Sequence, residues 1–345
     1  MESYNNNICT TWLHCMAVMI VLGLMSGCQS GRDYFPRQME KQHIEIVRFD
    51  TAIMNVKAET ARQDIERMYA DYEDFMPIWV ENIIGIPATD TDYLCKALPA
   101  FLNDTMYGFR ETNMRAKQIF ADVSDIQCEM DAAFTRIHYL YPDWTIPKLY
   151  LFVSGFNASV MFIYDDLAAG VDMYLGSDYE YYNRVVYDYQ KQTMRKECLA
   201  TDVVSAYLFR NIAYTSTKNR LLDNMIYRGK VMYLLSCLLP EEKDWEIMGY
   251  TKEQWQWAER NERQIWNTVM DKRDLFKTES MVLTSYLNDG PFTSEVSQDA
   301  PGRLGTWIGW RIVESYMTHN QEVSMQQLME EGDAEKILEN SYYKP

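Results

Sequence analysis

Pro147-Lys148-Leu149-Tyr150-Leu151-Phe152-Val153, then Gly155-Phe156-Asn157, then Ser159-Val160-Met161-Phe162-Ile163-Tyr164 is the stretch on which the fold turns. The first run is short, apolar and aromatic, so it reads as a strand. The glycine-containing turn and second run read as the return arm of a hairpin. Leu167 to Leu175 has the length and apolarity to supply a third strand. Far upstream, His43-Ile44-Glu45-Ile46-Val47-Arg48-Phe49-Asp50 alternates like one more short strand.

The flanks have a helical period. Ala61, Ile65, Met68, Tyr72 and Phe75 share one face, and Pro77 is expected to kink or end that helix. Ser124-Asp125-Ile126-Gln127 has the capping-box spacing and opens a helix with Ile126, Met130, Phe134, Ile137 and Tyr141 on one face, stopped by Pro142. Thr201 is expected to cap a helix to about Arg210. A further helix runs from about Lys218 to Leu239, before Pro240. Thr251-Lys252-Glu253-Gln254 and Ser324-Met325-Gln326-Gln327 are two more capping boxes, and Pro301 precedes a last long helix striped with Leu304, Ile308, Ile312 and Tyr316. Gly305 and Gly309, four apart, let a neighbouring backbone approach. The fold class is therefore α+β, mostly helical with one small mixed or antiparallel sheet.

At the N-terminus, an apolar core of about a dozen residues ends in Leu24-Met25-Ser26-Gly27-Cys28. That is too short to span a bilayer, which takes about 20 apolar residues. Small residues before a cysteine fit a lipoprotein signal peptidase. Residues 1–27 are expected to be the signal peptide, Cys28 the lipidated residue, 28–41 a tether, and 42–345 a single domain. The partner so implied is the lipid bilayer, through Cys28, at the inner or outer membrane. The body would lie in the periplasm or at the cell surface.

Composition is globular, with 47% hydrophobic residues, 10 Pro and 15 Gly. A net charge of −17 disfavours a nucleic-acid partner. Cys95, Cys128, Cys198 and Cys237 form no Cys-x-x-Cys pair, and at least two are expected to be packed thiols. His43, His138 and His319 are far apart in sequence, so no His-Glu-x-x-His zinc helix exists and no metal or cofactor is expected. Gly-x-Ser-x-Gly is absent, and Ser154 reads as a turn residue. Asp165, Asp166 and Asp172 could form a cation site or a glycosidase pair, although solvated strand ends and turns explain them as well. Tyr174, Tyr179, Tyr181, Tyr182, Tyr187 and Tyr189 could floor a sugar or peptide groove or simply pack.

Several segments in one order resemble the gliding-motility lipoprotein GldB family of Bacteroidetes: the lipobox, Val47-Arg48-Phe49-Asp50, Gly170-Val171-Asp172-Met173-Tyr174-Leu175-Gly176, Tyr227-Arg228-Gly229-Lys230, and Ala300-Pro301-Gly302-Arg303-Leu304-Gly305-Thr306-Trp307. That family resembles predicted zinc-dependent proteases, in which a His-Glu-x-x-His helix follows the Tyr-Leu-Gly strand and a Glu-Gly pair on a later helix adds a ligand. Here the first helix carries Asp202 and Ser205 without His, and the later pair is Arg228-Gly229. The resemblance implies a zincin-like body that lacks the metal site. It also implies a non-catalytic binding or scaffold role with an unidentified envelope partner, and a cleft containing Asp172, Tyr174, Arg228 and Arg303. A hydrolase using the acidic residues without zinc, or a surface protein binding glycans through Tyr181 or Tyr182, is the alternative.

Overall fold

Strands β2 (Leu149–Phe152), β3 (Val160–Ile163) and β4 (Asp166–Gly170) form with β1 (Ile46–Arg48) one four-stranded sheet in the computed structural model, which describes residues 34–87 and 90–345. Residues 1–27, expected to be a signal peptide, and Cys28 lie outside the described residues. The strand order is β1-β2-β4-β3. β1 and β4 both run parallel to β2, and only β3 is antiparallel, against β4. The sheet is therefore mixed, and the class is α+β as expected.

The hairpin, however, is not the expected one. β2 and β3 never pair; β4 inserts between them, with Leu151 opposite Ala169 and Val160 also opposite Ala169. The tight turn lies instead at Tyr164-Asp165, between the paired residues Ile163 and Asp166, with Tyr164 in the left-handed region at φ 54. The Ser154–Ser159 segment that read as a turn is a broader loop. Its organiser is Asp172, which is fully buried and accepts hydrogen bonds from Ser154 N (2.7 Å), Ser154 Oγ (3.0 Å) and Phe156 N (2.8 Å). Leu167 to Leu175 is also not one strand. β4 stops at Gly170 and a 3-10 turn covers Val171–Met173.

On one side, helix α1 (Ala61–Asp71) and the segment Phe75–Ile83 pack on the sheet. Phe49, Phe75, Trp79 and Phe152 interlock edge-to-face, with Phe49 and Phe75 centroids 4.7 Å apart. Each such ring contributes ~1.5–3 kcal/mol by leaving water. Trp79 also donates its indole N–H to Val153 O at 2.7 Å, which satisfies its one polar group. α1 ends before Pro77. Pro77 itself sits in the first turn of Phe75–Ile78, where its missing N–H breaks no bond.

Helix α2 (Ser124–Leu140) lacks the expected capping box. Ser124 is already helical, and Gln127 reaches out to Ile44 O (2.8 Å) and Asp131 (2.7 Å), so it fastens the chain leading into β1. Helix α3 (Leu199–Asn211) begins two residues before Thr201, which is buried in its first turn and caps nothing. The boxes at Thr251, opening α5 (Lys252–Asp271), and at Ser324 are formed.

Helix α4 (Leu221–Leu238) is buried nearly all round, with 15 of its 18 residues out of solvent, which makes it the centre of the helical part. It crosses α6 (Leu304–His319) with backbone touching backbone. A Cβ on Gly229 would stand 2.2 Å from Gly309 C, and one on Gly309 would stand 1.9 Å from Met225 O. The small-residue spacing read from sequence is thus used at Gly309, and Gly229 answers it. Cys198 and Cys237 are buried, Cys95 is half-buried and Cys128 is exposed. No described helix is long and apolar enough to cross a membrane. Gln38 to Pro345 is one compact unit; residues 34–37 fall in a separate short one.

Candidate functional site

Between the start of β3, the turn after β4, and helices α3, α4 and α6 lies a cleft of about 440 Å³. Its chemistry comes from side chains far apart in sequence. Asp202 and Ser205 project from α3, Arg228 from α4, Tyr174 from the segment after β4, Tyr250 from the turn before α5, and Arg303 and Thr306 from the start of α6.

Asp202 lies deep in this cleft and accepts a hydrogen bond from Tyr174 Oη at 2.9 Å. Burial pushes its carboxyl up to about 6; the Tyr174 hydroxyl and the Arg303 charge pull it back only in part. The same burial, with Asp202 beside it, holds the Tyr174 phenol well above its ordinary range. Arg228 is half-buried and donates from Nη1 to Leu287 O at 2.6 Å. Its guanidinium is pushed down by burial and by the charge of Arg303, and held up by Asp289. Arg303 pairs through Nε with Asp289 at 3.1 Å. It occupies the N-cap of α6 in the left-handed region, at φ 58. Tyr250 fixes that corner by donating to Gly302 O. Opposite, Gly249 leaves room for the Arg303 guanidinium, since a Cβ there would lie 2.9 Å from Nη2. Thr306 is 3% exposed, and its hydroxyl has no hydrogen-bond partner among the described residues.

The sequence-expected residues fall as follows. Tyr174, Arg228 and Arg303 line the cleft. Asp172 does not; it is buried behind the wall, where its carboxylate ties the loop after β2 and its carbonyl accepts from Tyr182 Oη at 2.9 Å. The acidic trio does not converge. Asp165 is exposed at the hairpin and pairs with Arg210, Asp166 accepts from Lys148 N, and Asp172 follows the far end of β4. The extended run from Asp166 to Gly170 alone spans roughly 13 Å before the turn that carries Asp172, whereas paired glycosidase carboxylates stand ~5–9.5 Å apart. The tyrosines scatter too: Tyr182 is in the core, Tyr189 joins the cleft, and Tyr187 is 72% exposed. Ser154 Oγ donates to Asp172 at 3.0 Å, as a buried turn residue does. His43 pairs with Asp131, His319 contacts Ser315 O, and His138 sits on α2, so the three do not meet. Among the described residues no three ligand-type side chains gather as a metal site would require.

The donor set in the cleft does not suit a divalent ion. Thr201 and Ser205, on the α3 face that holds Asp202, offer neutral hydroxyls, and Arg228 offers a fixed cation. A dication about 5 Å from a guanidinium is repelled by roughly 7 kcal/mol at an effective dielectric of 20. Asp289 and Tyr250 were not marked by the sequence; they come from loops with no motif, and only the fold brings them to Arg303. Thr306 stands in the Ala300–Trp307 segment of the family likeness, where nothing singled out its hydroxyl.

A family model described as gliding motility protein GldB, of a lipoprotein family by its label, matches residues 36–345. The chain belongs to that family. No curated protein and no solved structure matches it.

Proposed function

We propose that this GldB-family chain is a non-catalytic, lipid-anchored envelope component serving gliding motility or an associated secretion process, and that its cleft holds a ligand without cleaving it. One observation carries the reading: Arg228 is built into the cleft wall facing α3, pinned by its 2.6 Å bond to Leu287 O. A guanidinium at that position opposes the one ion that would turn such a cleft into a metallopeptidase. The resemblance to zinc-dependent proteases supports a zincin-like body whose ligand positions have changed to hydroxyls and a cation. The Cys28 lipobox supports anchoring, and several acyl chains on one cysteine hold a protein far more firmly than one.

A second reading has its own observation in favour. Asp202, pushed up to about 6 and hydrogen-bonded to Tyr174, has the poise of a general acid or base. Turnover decides between them. The full chain is incubated with casein and with peptidoglycan fragments, beside variants with Asp165, Asp166, Asp172 or Asp202 changed to Ala. The holding role predicts no product above buffer from any of them. Product formation abolished by Asp202→Ala, in a variant that still folds, would establish the enzyme instead.

A further inference from the structure

We infer that the corner of the cleft between Arg228, Arg303 and Thr306 is a subsite for a singly charged carboxylate. This deepens the holding role just described and rests on it. Arg303 lies near enough to bear on the charge of Arg228, and both guanidiniums line the same cavity. Only one nitrogen of each is engaged by the protein among the described residues: Arg228 Nη1 with Leu287 O and Arg303 Nε with Asp289. The remaining N–H groups are donors in a planar fork, the geometry that matches a carboxylate. The Thr306 hydroxyl, nearly fully buried and without a partner among the described residues, stands in the first turn of α6, where the positive end of a 16-residue helix adds to the field.

Charge selects the anion. Asp202 and Asp289 also face this corner, while Glu246 is occupied by Arg195 at 3.2 Å. Two cations against two carboxylates make the corner neutral, so an anion is held there by the free N–H donors and not by net charge, and a phosphate dianion, with twice the uncompensated charge, is disfavoured relative to a carboxylate. The carboxylate could end a peptide or belong to a sugar acid; the chemistry at the two arginines is the same.

The test is calorimetric titration of the full-length chain in detergent micelles. The probes are N-acetyl-Ala-Ala-Phe as free acid, the same peptide as C-terminal amide, glucuronate, and inorganic phosphate. The free acid or glucuronate, or both, are expected to bind, and to lose about tenfold or more in affinity in Arg228→Gln and Arg303→Gln, as when a charge-assisted hydrogen bond is removed. The amide is expected to bind at least tenfold more weakly than the acid if the source is a peptide. Arg303→Lys, which keeps the charge and loses the fork, is expected to fall between wild type and Arg303→Gln, and guards against a variant that misfolds. Acid and amide binding equally with glucuronate silent, phosphate binding more tightly than either carboxylate, or binding indifferent to the arginine changes overturns the subsite. No carboxylate binding at all also overturns it and leaves the non-catalytic role standing, because that role is decided by turnover.

Discussion

Gly309→Ala is the perturbation whose size the geometry fixes most closely. The new Cβ would stand 1.9 Å from Met225 O and 2.5 Å from Met225 C, whereas non-bonded carbon contacts relax only near 3.5 Å. Both neighbours are helix backbone and cannot rotate away, so α4 and α6 must part by more than about 1 Å. Alanine gains about 1 kcal/mol in helix propensity, of which the less flexible unfolded chain is the main source. Against that gain stand overpacking of ~1–3 kcal/mol and dispersion, of which a radial gap of 0.5–1 Å already forfeits about a quarter to a half of each contact. The α4–α6 contact is long and buried, so these two losses win, and a net loss of about 1–2 kcal/mol is expected. Arg228 precedes Gly229, and Arg303 leads into α6, so parting these helices also spreads the two guanidiniums and weakens carboxylate binding. Urea unfolding measures the first effect as a lowered midpoint at unchanged slope. Gly290→Ala is the control, since its Cβ would meet only Phe292 O at an ordinary 3.7 Å, and it is expected within about 0.5 kcal/mol of wild type. A Gly309→Ala protein as stable as wild type would refute the backbone contact.

Other predictions follow from single residues. Asp172→Asn replaces an acceptor of three hydrogen bonds by one that also brings donors against Ser154 and Phe156, and should lower stability by about 2–4 kcal/mol in the same unfolding assay; an unchanged midpoint would remove Asp172 as the loop's organiser. Asp202, faced by Tyr174, Arg303 and Asp289, binds its proton more tightly folded than unfolded. The stability it withholds therefore grows as pH rises from about 4 to about 6, to at most ~3 kcal/mol. Asp202→Asn should thus gain on wild type across that window, and parallel pH profiles would contradict the burial. Cys28→Ala should move the protein from the membrane to the soluble fraction of lysed cells; retention would mean another anchor.

The strands were legible because Leu149–Phe152 and Val160–Ile163 alternate or run apolar over the right length, and the ladder needs such residues wherever it runs. Their pairing was not legible. Hydrophobic pattern says which face is buried, but nothing local told β3 to choose β4 over β2; that choice is made by Asp172 opening the loop after β2 and by Tyr164 accepting a left-handed turn. Capping boxes succeeded at Thr251 and Ser324, where the side chains have no rival partners, and failed at Ser124, where Gln127 is drawn to Ile44 and Asp131. In the cleft, Tyr174, Arg228 and Arg303 stood in the segments that carry the family likeness. Asp172 stood in the same segment, yet sequence cannot tell a carboxylate that faces a cavity from one turned inward to hold a loop. Tyr250 and Asp289 had no periodicity or motif and were found only through their proximity to Arg303, while Thr306 stood in a likeness segment with nothing to mark its hydroxyl as unpartnered.

The claim that the cleft holds without cutting is tested most directly by titrating zinc into the full-length chain. With a guanidinium in the wall and hydroxyls in place of imidazoles, no saturable one-to-one site is expected, and Arg228→Glu should be the change that first creates one. Stoichiometric zinc binding by the unaltered chain, lost on Asp202→Asn, would contradict the account.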